Sequence, residues 1–355
     1  SAASGDAITI EKPSLVDVTG YDVSYVPEYV SVGVEASPYF GAGIDGAKYF
    51  STDYTGGRAL TNLIGFRREV AATNNLLHSR DLSNAAWSTK TNITAAETAT
   101  GLDGIANTAT TLTATAADAI ILQPITLASA DRCASAYVKR RTGTGAISFT
   151  QDGGSTWTDI TSQINSSTWS RVEITATLAN PSVGFKISTS GDAIDVDCVQ
   201  NEAGAVATSP IVTTTAVVTR NADSLEYQTA SNWSDTAGTA YIEAQPLSWV
   251  AGGAIGSATN GLLLSGANSG ATASDGTNTA NGPTGTPGTS EKLALNWTGA
   301  VMEVASSATV GTPGTYDGAM GLSNIGIGVG ASGYFKNVAV YPYALSDADM
   351  VKITT

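Results

Sequence analysis

The chain has 355 residues, of which only 14% are charged, with a formal net charge of −14 at pH 7. A surface of that sign repels nucleic acid, whose phosphates are bound by clustered Lys and Arg. No apolar run approaches the roughly 18 residues of a membrane-spanning helix, and no basic segment followed by an apolar stretch opens the chain at Ser1, so neither membrane insertion nor a secretory leader is read here.

The length accommodates two or three domains. Gly numbers 38, Ala, Ser and Thr abound, and helix-favouring residues are sparse, a bias toward strands joined by turns. Residues 1–75 come first. Ile8–Ile10, Tyr21–Val26 and Val30–Val34 alternate with the period of strands, and Pro13, Pro27 and Pro38 interrupt them. With few large apolar residues, this leader lacks a core of its own and is expected to pack on a neighbouring domain or subunit. Its basic pair, Arg67-Arg68, reads as a solvated strand or turn end, as does Lys139-Arg140-Arg141 further on.

Residues 76–227 hold strand candidates at Ala119–Leu122, Cys133–Lys139, Ala146–Thr150, Arg171–Leu178, Val183–Ser188 and Ile194–Val199. Val172, Ile174 and Ala176 fall on one face of their strand, and Arg171, Glu173, Thr175 and Thr177 on the other. Such alternation predicts antiparallel sheets stacked as a sandwich. Cys133 and Cys198 read as two small buried residues or as one bridge between strands. Residues 228–355 repeat the pattern at Thr239–Ala244, Leu262–Leu264, Lys292–Trp297, Val301–Ala305, Ile325–Gly328 and Tyr334–Tyr341. Asp275-Gly276 marks a hairpin turn inside the Gly/Thr/Asn/Pro-rich stretch 265–290. At the end, Ser346 with Asp349 forms a capping box, and Leu345 with Met350 a hydrophobic staple, for one short helix. The expected class is therefore all-β: two tandem antiparallel sandwiches of jelly-roll type (76–227 and 228–355), an extended leader (1–75) and a short C-terminal helix.

Catalytic constellations are sparse. His78 is the single histidine and has no nucleophile elbow to serve. Glu97, Glu173, Glu202, Glu226, Glu243, Glu291 and Glu303 are scattered, whereas glycoside hydrolysis needs two facing carboxylates. Gly328-Val329-Gly330-Ala331-Ser332-Gly333 matches a nucleotide fingerprint but precedes a strand, so it reads as a turn. Thr150-Gln151-Asp152-Gly153-Gly154-Ser155-Thr156-Trp157 resembles the Asp-box hairpin of sialidase propellers, in which the Asp braces the turn and the Trp packs beneath it. Occurring once, it reads as a rigid hairpin. Asp192, Asp195 and Asp197 form the densest acidic group. They read as a solvated face, with Ca²⁺ as the alternative and no other cofactor expected.

Several segments together resemble bacteriophage tail and head fibre proteins. Asn75-Leu76-Leu77-His78-Ser79-Arg80-Asp81-Leu82-Ser83-Asn84-Ala85-Ala86-Trp87 looks like the opening of their carbohydrate-binding-module-like sandwiches. Gly101–Gly104, Ala136-Tyr137-Val138-Lys139, Gln200–Gly204 with Ser209-Pro210-Ile211, and Thr219–Asp223 resemble later segments of the same module. Tyr39-Phe40 and Asp45–Phe50 look like the leader that precedes it. Gly333–Met350 resembles the end of a laminin-G-like, concanavalin-like sandwich. The resemblance implies sandwich folds and a protein on the virion surface that binds host-surface polysaccharide; the poverty of His and Glu and the single Asp-box make the expected protein non-enzymatic. The coreless leader is expected to attach to other virion proteins, and the symmetry common to such fibres points to homo-oligomers such as trimers. The rivals are a polysaccharide depolymerase or sialidase-like enzyme, and a purely structural capsid cement protein. For the glycan, alternation places Tyr137 and Lys139 opposite the apolar Ala134, Ala136 and Val138, and Arg171 and Glu173 opposite Val172 and Ile174. These four are the expected sugar contacts.

Overall fold

A computed structural model of the protein describes residues 48–50, 63–230, 232–247, 252–265, 270–286 and 288–355. The strands expected at 8–10, 21–26 and 30–34 lie outside the described residues, and so does most of the leader expected to attach to other chains.

The strands of the first part are β1 (Lys48–Phe50), β2 (Leu63–Arg68), β3 (Ala72–Asn74), β4 (Thr89–Thr91), β5 (Ile93–Ala99), β6 (Ala109–Ala114), β7 (Ala119–Pro124), β8 (Ala130–Thr142), β9 (Ile147–Thr150), β10 (Thr158–Asp159), β11 (Ser170–Leu178), β12 (Ser182–Ile187), β13 (Ala193–Ala203) and β14 (Val218–Arg220). The second part adds β15 (Glu226–Gln228), β16 (Ala237–Pro246), β17 (Gly252–Gly256), β18 (Gly261–Ser265), β19 (Gly270–Ser274), β20 (Thr279–Thr284), β21 (Glu291–Thr298), β22 (Val301–Ser306), β23 (Thr309–Val310), β24 (Gly314–Thr315), β25 (Asn324–Val329), β26 (Gly333–Tyr341) and the helix α1 (Asp347–Ile353). The fold is all-β, with α1 the one α-helix among the described residues. That helix is too short to cross a membrane.

The first sandwich stacks the sheet β10-β9-β12-β7-β4 on the sheet β11-β8-β13-β6-β5. Strand alternation decides what lies between them. Ala134, Ala136 and Val138 of β8, Val172 of β11 and Val183, Phe185 and Ile187 of β12 meet in one core with Trp87, Leu112 and Phe149. Phe149 and Phe185 sit opposite each other in register and stack at 4.8 Å. The second sandwich opposes β1-β2-β26-β16-β21-β22-β23, with β24 paired to β22, to β15-β25-β17-β18-β19-β20. Ile242, Leu293, Leu295, Val304 and Phe335 pack there against Ile255, Leu262, Leu264 and Ile327. Ser346 caps α1 by accepting the Asp349 amide, and Met350 is buried beneath it, as the capping pattern predicts.

Strand β2 ties the two halves together. It pairs with β26 over Gly333–Phe335 and puts Phe66 into the second core. The chain then crosses to β3, which pairs with β14, runs through the first sandwich, and returns at residues 220–226. The two crossings are locked to each other. The Glu69 amide donates to Asp223 at 2.8 Å and the Asp223 amide to the Glu69 carbonyl at 3.0 Å. Arg220 pairs with Asp223 at 3.0 Å and Glu69 at 3.3 Å, while Ser209 donates to Glu69 from its amide and its hydroxyl.

This junction corrects the reading of Arg67-Arg68 as solvated. They are 4% and 6% exposed. Arg67 pairs with Glu69 at 2.8 Å and donates to the Tyr334 hydroxyl at 3.3 Å, and Arg68 donates to the Ile327 carbonyl. A buried guanidinium is tolerated only when paired and hydrogen-bonded, and the crossing supplies those partners. The acidic group is corrected likewise. Asp192, Asp195 and Asp197 are buried. Asp197 is held by Arg80 at 2.8 Å, Asp195 by Arg141 at 2.9 Å and Lys139 at 3.8 Å, and Asp192 by the Gly145 amide at 2.7 Å and Arg140 at 3.6 Å. Their counter-charges are side chains of this chain. Alternation put Asp195 and Asp197 on one face but could not reveal that β8 and the segment at Arg80 bring cations over it. Cys133 and Cys198 are both free and buried.

Candidate functional site

The four residues expected to hold a glycan do share one face of the sheet containing β8 and β11. Tyr137 lies in register with Arg171 on one side and Asp197 on the other. The face, however, is already covered. Tyr137 is 5% exposed and packs with Leu102, Cys198 and Trp169, with the Arg171 guanidinium 5.6 Å from its ring centre. Burial pushes its phenol upward despite Arg171 and Arg67, and its hydroxyl has no partner. Arg171 is spent on the Thr208 carbonyl, the Ser135 hydroxyl and Glu173 at 3.3 Å. Lys139 lies over Trp169 at 5.0 Å, and Glu173 is exposed. The ring face that would stack on a sugar therefore meets protein: Leu102 from the β5–β6 connection, Cys198 of β13 and Trp169 ahead of β11 pack against Tyr137, and the Thr208 carbonyl holds Arg171.

The Asp-box segment forms the hairpin its pattern predicts. Asp152 accepts from the Thr156 amide at 2.9 Å and the Thr150 hydroxyl at 2.8 Å. Trp157 lies against Gly154, where a Cβ would come within 2.8 Å of the indole, and Lys186 sits over its ring at 5.3 Å. Among the described residues, adjacent residues bridge one carboxylate pair: Glu202, bonded to Thr208, and Glu69, bonded to Ser209. Both are sealed in the junction, out of reach of a glycosidic oxygen. Among the described residues, no three His, Cys, Asp or Glu side chains are placed to hold a metal ion.

An open, aromatic-lined cavity lies in the second sandwich. Tyr227, Asn232, Trp233, Ser234, Ile325, Val338, Val340 and Pro342 enclose about 510 Å³. It forms between the edge strand β15 with its neighbour β25 and the far end of β26. β26 carries an irregularity opposite Tyr241–Glu243, with Asn337 at φ +52°. Bulges of this kind re-aim side chains beside binding sites, and here the bulge leaves Val338 exposed at the rim.

The loop from β15 to β16 is pinned from below. The amides of Asn232 and Trp233 both donate to the Thr229 carbonyl, and the Asn232 side chain donates to the Gln228 carbonyl at 3.0 Å. Trp233 stacks on Trp297 at 4.4 Å with planes 11° apart. Trp297 is fixed in turn by donating to the Ser234 carbonyl at 2.8 Å. Tyr316 donates to the Asp235 carbonyl at 2.6 Å, and Asp235 accepts the Met320 amide. The cavity thus combines an exposed ring, Tyr227 at 48%, with a second ring held rigid by its neighbour. Pockets of this size, apolar with a few placed polar groups, hold small ligands.

The four sequence-derived residues do not line this cavity, and the eight that do were not singled out from sequence. The available signal was Asn232-Trp233-Ser234 in a short loop between strands. Its partners at 325 and 338–342 are about a hundred positions away, and nothing local connects them.

No family model matches the chain, and no curated protein matches it. Among solved structures it is similar to the N-terminal CBM22-1-CBM22-2 tandem domain of Paenibacillus barcinonensis Xyn10C, at 11% identity and a TM-score of 0.26, over 78% of this chain and 92% of that one. A TM-score that low transfers neither ligand nor binding residues.

Proposed function

We propose that this chain is a non-catalytic glycan-binding protein and that the saccharide sits in the Tyr227–Trp233 cavity of the second sandwich. The carrying observation is the cavity: an exposed tyrosine and a rigid, stacked tryptophan beside Asn232 and Ser234. Sugars present C–H faces that lie against aromatic rings and hydroxyls that need planar or hydroxyl partners, and aromatic side chains with a polar handle serve both needs at low entropic cost. The wider setting, a fibre, spike or decoration protein on a phage-like particle, rests on the sequence resemblance of segments 39–50, 75–87, 200–223 and 333–350. In that setting the leader joins other virion proteins, and the chains assemble as homo-oligomers, a trimer being one closed solution.

The test is a glycan array with the intact chain, followed by incubation of each bound polysaccharide and analysis of the products. Binding that Tyr227→Ala abolishes, with no shortening of the polysaccharide, is expected. Released oligosaccharides would overturn the non-catalytic assignment in favour of a depolymerase. An array without any bound glycan would leave the structural cement reading in its place.

A further inference from the structure

We propose that the edge strand β11 is a docking surface for a second copy of this chain, the two β11 strands pairing antiparallel about a two-fold axis at Ile174. The proposal stands apart from the glycan reading and from any association through the leader.

An end strand leaves a row of peptide N–H and C=O groups open to another chain, and folds guard against this with short strands, lysine, proline or a bulge. Among the described residues, every end strand but one carries such a guard. β10, β23 and β24 have two residues, and β1, β3, β4, β14 and β15 have three. β5 is irregular between Glu97 and Ala99, and β20 carries Pro283 and a shift in register. β11 runs for nine residues with neither Pro nor Lys, and its ladder to β8 is regular throughout. Beyond that ladder its backbone makes no backbone–backbone bond among the described residues, and Gln151 donates to the Ile174 carbonyl at 3.2 Å.

The core-facing side of β11 is unfinished as well. Val172 is fully buried, but along the same face Ile174 and Leu178 are half-buried and Ala176 is exposed. The opposing sheet gives out at this corner: β9 stops at Thr150, and the next residue, Gln151, is the one that reaches Ile174.

A second β11 fits both features. With Ile174 on the axis all nine residues find a partner. On the core-facing side Val172 meets Ala176 of the copy, Ile174 meets Ile174 and Ser170 meets Leu178. On the other side Glu173 meets Thr175 and Arg171 meets Thr177. Apolar groups thus oppose apolar ones and no like charges face each other. An axis at Glu173 would oppose two carboxylates, which is destabilising, and an axis at Thr175 would leave Ser170 and Arg171 without strand partners. The leader strands expected at 8–10, 21–26 and 30–34 are shorter than this edge and would leave part of it open. A nine-residue strand is about 30 Å long. The contact therefore belongs at the small end of specific interfaces, with roughly 600 Å² buried on each side, and calls for micromolar affinity. Each copy carries a net charge of −14, so affinity should rise as salt screens their repulsion.

Sedimentation velocity of the intact chain from about 1 to 100 µM, a range that brackets so small an interface, measures the association. Thr175→Glu creates two like-charge pairs across the axis, each with Glu173 of the other copy, and is expected to weaken association about tenfold. Adding Glu173→Lys to it makes those pairs complementary and should return the affinity toward the native value. Ala176→Lys sets an ammonium on the uncovered apolar row and should also weaken association. All three positions are exposed, and a thermal melt of each variant checks that it folds. A chain that does not associate over this range overturns the proposal. So does association unchanged in both Thr175→Glu and Ala176→Lys, which would move the contact to the leader or to another face. Weakening by Thr175→Glu that the double variant fails to relieve overturns the pairing about Ile174.

Discussion

Arg80 shows how single residues carry the first sandwich. It pairs with Asp103 at 2.6 Å and with Asp197 at 2.8 Å, and Asp197 is fully buried. Arg80→Ala strands that carboxylate without a counter-charge and is expected to cost about 3–5 kcal/mol, read as a lower urea midpoint at unchanged slope. The same ion pair sets an acid limit. Hydrogen bonding to Arg80 holds Asp103 below the ordinary carboxylate range. Its contribution is present above the unfolded value, about 3.9, and is lost as pH falls through the folded value. Glu202 and Asp223 have the opposite sign, because burial pushes both up. Their contribution is present at low pH and lost as pH rises through the folded values. Asp103→Asn should therefore flatten the acid limb of a stability–pH curve and leave its neutral limb in place. The thiols make a simpler case. Burial pushes Cys133 up to about 12 and holds Cys198 well above the ordinary thiol value, so neither should react with a thiol reagent until the chain is unfolded. Labelling of either in the native protein at pH 8 would contradict that burial.

At the scale of elements, glycine and caps position what the strands present. A Cβ at Gly238 would come within 2.3 Å of the Trp297 ring, the ring on which Trp233 stacks. Gly238→Ala is expected to displace the indole pair and lower sugar affinity more than it lowers stability. Calorimetric unfolding beside a saccharide titration separates the two effects. Ser346→Ala removes the acceptor for the Asp349 amide and should cost about 1 kcal/mol. Period-two alternation made β8, β11 and β12 legible in the sequence, and the capping box did the same for α1. In each, the chemistry that decides the structure lies within a few neighbouring residues. The strands β17, β19 and β20 were hidden because, Ile255 and Pro283 apart, they are built of Gly, Ala, Ser, Thr and Asn. Their buried members, such as Ala271 and Ala273, are too small to mark a face. The site was least legible of all. Tyr137 and Arg171 share the face that alternation gives them, but the groups that cover it, Leu102, Trp169 and Thr208, come from three separate segments of the chain. Such covering is a tertiary fact with no local signature.

The whole molecule is two sandwiches joined by two chain crossings, and the crossings are cross-linked by Glu69, Arg220 and Asp223. That geometry couples the halves. Glu69→Gln or Arg220→Ala should split a single unfolding transition into two and widen the scattering profile of the intact chain. The buried charges thereby fix the direction in which the second sandwich presents its cavity. In the proposed glycan-binding role, that orientation decides which way a bound saccharide is held. The cavity's role as a saccharide site is tested most directly by the indole N–H resonance of Trp233, assigned with Trp233→Phe in ¹⁵N-labelled intact chain and followed as oligosaccharide is added. The account predicts a saturable shift of that resonance, absent in Tyr227→Ala. A saturable shift confined to Trp157 or Trp169, with Trp233 unmoved, would contradict it.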